Sequence, residues 1–147
     1  MSAVLVTGAA KRIGRAFALA LAADGRPVAI HCHRSRAEAA ALADTIAAAG
    51  GTATVIVGDL AEPGAVAALI PTAATALGPI TAVVNSASSF VFDDLATLAP
   101  ATFERQMRVN LLAPLLLSRD LVAQLPPGSV GNGKPTFWSS RLTTLPT

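Results

Sequence analysis

The sequence has 147 residues, enough for one domain, and 52% of them are apolar against 14% charged and 4% aromatic. That balance excludes a disordered chain, a coiled coil and a charge-rich binding tail, and it predicts a packed core. The sequence pI is near 9.3, but the net charge is only +2 and the basic residues are scattered, so the stripe that a nucleic-acid binder presents is missing.

Short β-branched runs alternate with longer alanine-rich stretches, the pattern of a parallel α/β sheet with crossover helices. Ala3 to Val6 predicts the first strand, ending at Thr7-Gly8, and a helix follows from Arg12 to Ala23 until Asp24-Gly25 stops it. Pro27 to His31 is the second strand, and its helix runs from Arg36 to Ala49 with Gly50-Gly51 closing it. Thr54 to Val57 is the third strand, leading through Gly58-Asp59-Leu60 to a helix that opens at Pro63 and lasts to Leu77. Ile80 to Val84 is the fourth, ending at Asn85, and a long helix covers Ala101 to Leu125 with a kink expected at Pro114. The strands are apolar throughout, which requires helices on both faces of the sheet.

The end of the sequence departs from this pattern. None of the 32 alanines falls after Ala123, and Ser129 to Thr147 hold the single Trp, with Gly131-Asn132-Gly133-Lys134-Pro135 reading as a turn. The chain is therefore divided into an α/β unit over residues 1–128 and an atypical, irregular tail over 129–147. Cys32 is the single cysteine, and no run of apolar residues approaches the roughly 20 needed to span a bilayer. A cytoplasmic protein without a membrane partner is expected.

Three segments carry chemistry. Thr7-Gly8-Ala9-Ala10-Lys11-Arg12-Ile13-Gly14 lies between a strand and a helix, where glycine lets main-chain N–H groups approach a diphosphate. Arg15 stands where a nucleotide-triphosphatase loop needs its lysine, so phosphoryl transfer is excluded. At the end of the second strand, His33-Arg34-Ser35-Arg36 occupies the place where an NAD site puts an acidic residue for the ribose hydroxyls. Guanidinium groups beside a hydroxyl suit a 2′-phosphate, which predicts NADP(H). His31 and His33 share a strand face with Cys32 between them, but the sequence has no other His or Cys to complete a metal site, and none is expected.

Taken in order, Thr7-Gly8 through Gly14, Gly58-Asp59-Leu60, Val84-Asn85-Ser86-Ala87-Ser88 and Asn110 resemble the successive motifs of the short-chain dehydrogenase/reductases. Lys11-Arg12, His33-Arg34-Ser35 and Ser88-Ser89-Phe90 are similar to the pteridine reductase branch. The resemblance implies a Rossmann-like, doubly wound parallel sheet of which about four strands are present. It implies cofactor contacts from Gly8, Lys11, Arg12, Ile13, Gly14, His33, Arg34 and Ser35, with Asp59 bonding the adenine and Leu60 lining its pocket. Asn85, Ala87 and Ser88 match the motif closing the fourth strand, where Ser86 and Ser88 replace the usual second Asn and the Gly. Phe90 would stack on a flat heteroaromatic substrate such as a pterin, and Asn110 matches the asparagine that organises the family's proton relay.

The family's proton donor is a tyrosine with a lysine four residues later, and this sequence has no tyrosine at all. The expectation is a truncated or frameshifted member, a carbonyl or imine reductase by lineage and inactive as written. A non-catalytic nucleotide-binding module, a regulatory subunit or a non-functional product stay open as alternatives. Full-length members of the family are homo-oligomers; the sequence leaves this chain's own state open.

Overall fold

The computed structural model describes residues 2–125. The expected tail at 129–147, and any fifth strand, lie outside the described residues. Four parallel strands form one sheet in the order β3-β2-β1-β4. They are β1 (Ala3–Thr7), β2 (Val28–Cys32), β3 (Ala53–Val57) and β4 (Ile80–Asn85), joined by α1 (Arg12–Ala23), α2 (Arg36–Ala48) and α3 (Pro63–Leu77). Helices α4 (Pro100–Met107) and α5 (Ala113–Gln124) follow β4. This is the doubly wound Rossmann-like arrangement.

Side-chain alternation along β1 explains the two-sided burial. Ala3 and Leu5 face α3 and α5, packing with Leu69, Ile70, Ile80 and Leu117, whereas Val4 and Val6 face α1 and α2 with Ile30, Leu42 and Ile46. Both central strands are buried at every residue, which is why they read as unbroken apolar runs. Among the described residues β4 pairs with β1 alone, and its exposure from Thr81 onward is that of an edge strand.

The long helix expected after β4 runs continuously from Pro100 to Gln124, and the disturbance expected at Pro114 takes the form of a π-helical turn at Arg108–Leu112 between α4 and α5. Pro114 has no N–H to offer the carbonyl one turn back, and the wider turn re-pairs the backbone ahead of it. The wide turn therefore contains Asn110, and no helix of the described residues is long and apolar enough to cross a membrane.

Candidate functional site

A cleft of about 650 Å³ opens at the carboxyl ends of the strands. It lies where the chain, after crossing outward from β1 to β2 and β3, returns to the other side of β1 as β4. Loops diverge at such a switch point, so an open α/β sheet leaves its crevice there.

The glycine turn forms one wall. Gly8 adopts φ +63°, and a Cβ on it would lie 2.8 Å from the Ala87 Cα, so the turn and the loop after β4 touch backbone to backbone. Gly14 packs just as closely: a Cβ there would stand 2.9 Å from the Gly8 carbonyl carbon and 3.0 Å from the Ala9 Cα. Between them Arg12 takes φ +52°, the one non-glycine among the described residues with positive φ. This is the position where the family pattern has its middle glycine, and an arginine there holds a conformation that costs of order 1 kcal/mol.

His31 fixes the turn from below. The Gly8 N–H donates to His31 Nδ1 at 3.2 Å, Nε2–H donates to the Gly58 carbonyl at 3.1 Å, and the Ala9 N–H donates to the His31 carbonyl at 3.0 Å. The imidazole thus links the first and third strand ends as a neutral, Nε2-protonated ring. Burial pushes its pKa below the ordinary 6.5, aided by His33, while the Gly58 carbonyl and Asp59 pull the other way. A histidine with a depressed native pKa gives stability that is complete above the unfolded value and lost as pH falls toward the native one, because the unfolded chain binds the proton first. Urea midpoints should therefore decline from about pH 7.5 to about pH 5, at no more than about 1.4 kcal/mol per pH unit. His31→Gln should flatten the decline, and an unchanged slope in that variant would assign it to other groups.

Cations line the cleft at the far end of the turn. Lys11 Nζ pairs with Glu38 Oε1 of α2 at 2.6 Å, and Arg12, Arg34 and Ser35 join Lys11 around the same opening. Ser35 stands at the N-cap of α2 without a side-chain cap bond. Further along, Asp59 accepts the Ala61 N–H at 2.9 Å and an N–H of Arg105 at 3.1 Å to each carboxylate oxygen, and His33 Nε2 lies 3.6 Å away. The Asp59 pKa is lowered despite its burial, which acts in the opposite direction, because the Ala61 N–H and Arg105 favour the charged form.

The opposite wall is the segment after β4. Buried Thr7 accepts the N–H groups of Ser86 and Ala87, each at 3.1 Å, and its hydroxyl faces the Val84 carbonyl at 3.4 Å. Asn110, in the π-helical turn, holds Ser89 at both ends: the Ser89 N–H donates to Oδ1 at 2.7 Å and Nδ2 donates to the Ser89 carbonyl at 2.8 Å.

Gly8, Lys11, Arg12, Ile13, Gly14, His33, Arg34, Ser35, Asp59, Leu60, Ala87 and Ser88 all line one cleft. Asn85, Phe90 and Asn110 do not line it; Phe90 is 82% exposed to solvent. His31 and Arg105 are structural contributors that the motifs did not mark, although His31 is a buried polar residue at a strand end, and Thr7 heads the glycine motif without a role of its own read from it. Among the described residues no three His, Cys, Asp or Glu side chains converge as a metal site.

Residues 2–140 match the family model described as short chain dehydrogenase. The chain belongs to the short-chain dehydrogenase family. A short-chain type dehydrogenase/reductase of Picea abies is 34% identical over 97% of this chain and 55% of its own length. Among solved structures, FolM alternative dihydrofolate reductase 1 from Brucella canis, complexed with NADP, is 42% identical with a TM-score of 0.81. It is matched over 86% of this chain and 50% of that one. A short chain dehydrogenase from Burkholderia cenocepacia in complex with NADP is 35% identical, with a TM-score of 0.82 over 86% and 52% of the two chains. This short-chain dehydrogenase thus spans about half the length of the relatives it matches.

Proposed function

We propose that the chain is the NADP(H)-binding part of a short-chain reductase, and that the whole protein reduces a carbonyl or imine. The observation that carries the reading is Arg34 and Ser35 at the end of β2, beside Lys11 and Arg12 on the same cleft. An acidic residue at that point would accept the ribose hydroxyls of NAD; a guanidinium and a hydroxyl suit a 2′-phosphate. The residues fit such a cofactor. The close approach of Gly8 to Ala87 leaves backbone where side chains would fill the crevice, and α1 starts at Arg12 on the cleft, where its first N–H groups would favour an anion. NADP-bound relatives at 42% and 35% identity support the same assignment.

When bound, the cofactor supplies the hydride. Gly8, Arg12 and Gly14 shape the diphosphate end, Arg34 and Ser35 hold the 2′-phosphate, and Asp59 with Leu60 receives the adenine. Asn110 orients the segment carrying Ser88, Ser89 and Phe90 through its bonds to Ser89, and the relay role implied by the family motif would be added to that. The 147 residues contain no tyrosine, so cofactor binding without turnover is the activity expected of this chain alone. A pterin is the proposed substrate class of the whole protein, supported by the likeness to an alternative dihydrofolate reductase and by the aromatic Phe90.

Isothermal titration of the chain with NADPH and NADH tests the assignment. Arg34→Ala should weaken NADPH by about tenfold or more and leave NADH nearly unchanged, since a charge-assisted phosphate contact is worth about 1.5–3 kcal/mol. Absence of any NADPH binding to the unaltered chain, or equal affinity for the two nucleotides, would overturn it.

A further inference from the structure

Arg105 sits on α4, 46 residues from Asp59 in sequence, and reaches across the cleft to it. One Nη2 donates to both carboxylate oxygens at 3.1 Å, while the Ala61 N–H at 2.9 Å occupies a second direction on Oδ1. An ionised carboxylate has about four acceptor directions, two on each oxygen. Oδ1 is thereby saturated. Oδ2 carries the single bond from Arg105, and His33 Nε2 at 3.6 Å is beyond hydrogen-bond reach. One acceptor direction on Oδ2 remains for a ligand, beside Leu60 and Val109 on the same cleft.

We infer that Arg105 is a positioning and specificity residue of this subsite: it fixes the Asp59 carboxylate so that its remaining oxygen direction selects a purine bearing an exocyclic amine over a 6-oxo purine. This inference rests on the NADP(H) reading and deepens it. An amine donates a proton to Oδ2, whereas a 6-oxo group sets oxygen against oxygen. Ala61 alone anchors only Oδ1 and leaves the carboxylate free to turn about its own axis. The guanidinium bridging both oxygens stops that rotation and keeps the group anionic, so it accepts and never donates. The strut comes from α4, whose next residue, Gln106, meets the segment after β4: Gln106 Oε1 receives the Val91 N–H at 3.4 Å, as Asn110 of the following π-helical turn receives that of Ser89. Consecutive side chains of α4 thus reach the two walls of the cleft, Gln106 toward the segment after β4 and Arg105 toward Asp59.

The test is titration of the 147-residue chain with NADPH and with the analogue in which hypoxanthine replaces adenine. The unaltered chain should prefer NADPH by about tenfold. Arg105→Met should shrink the preference to less than about threefold, mainly by weakening NADPH, and Arg105→Lys should restore part of it. A merely structural role for Arg105 would lower both affinities by the same factor and leave the ratio intact, which would overturn the inference; so would an unaltered chain with no preference between the two. Failure of the unaltered chain to bind either dinucleotide would instead overturn the NADP(H) reading itself. If Arg105→Met does not fold, Arg105→Gln, which keeps a polar side chain at that place, gives the same ratio to be read.

Discussion

Gly14→Ala should destabilise the chain by about 3 kcal/mol or more and abolish nucleotide binding, an effect that urea unfolding and titration would show together. The added methyl has no space: it would press on the Gly8 carbonyl group and on the Ala9 Cα at 3.0 Å, and all of these atoms are backbone. Flexible side chains yield to an intruding carbon at small cost, but a main chain held between β1 and α1 yields only by moving the helix. Gly64→Ala supplies the contrast. Gly64 lies in the first turn of α3, and nothing stands within 4 Å of the place its methyl would take, so there alanine should stabilise by about 0.5–1 kcal/mol through helix propensity. If Gly14→Ala unfolded at the same urea concentration as the unaltered chain, the close packing of α1 onto the turn would be refuted.

The same turn shows what could and could not be read from residue order. Period and punctuation sufficed for all four strands and the three crossover helices, with ends shifted by at most one residue: β3 begins at Ala53 in place of Thr54, and β2 ends at Cys32 in place of His31. Those signals are local. The π-helical turn at Arg108–Leu112 was not legible, because a proline announces that a helix is disturbed without saying on which turn the backbone re-pairs. The cleft-lining residues were legible wherever a motif named them. His31 was not, since its role depends on two backbone groups, at Gly8 and Gly58, that only the sheet brings to either side of the ring. Arg105 was missed for a related reason: its partner is 46 residues away and nothing in the spacing marks the pair. Phe90, flagged by resemblance, follows the cleft-lining Ser88 and Ser89 and is exposed to solvent.

Thr7→Val should cost about 1–5 kcal/mol, seen as a lower urea midpoint, although valine has nearly the same shape and the site is 1% exposed. The hydroxyl oxygen is the shared acceptor for the N–H groups of Ser86 and Ala87, and removing it orphans two part-buried donors at once, each worth about 1–3 kcal/mol. Valine offers more apolar surface, but burying one extra methyl recovers only about 0.8 kcal/mol, so the polar loss prevails. Thr7→Ser keeps the oxygen and drops the methyl, and it should therefore cost less than Thr7→Val despite being the smaller side chain. That inversion separates anchoring of the segment from core packing: if serine proved the more damaging of the two, Thr7 would be acting as a filler. The consequence reaches the cleft, because the anchored amides belong to the residues whose backbone meets Gly8. With the anchor gone, the wall bearing Ser86 to Ser89 loses its register against the glycine turn, and nucleotide affinity should fall in Thr7→Val while Thr7→Ser stays near the unaltered chain.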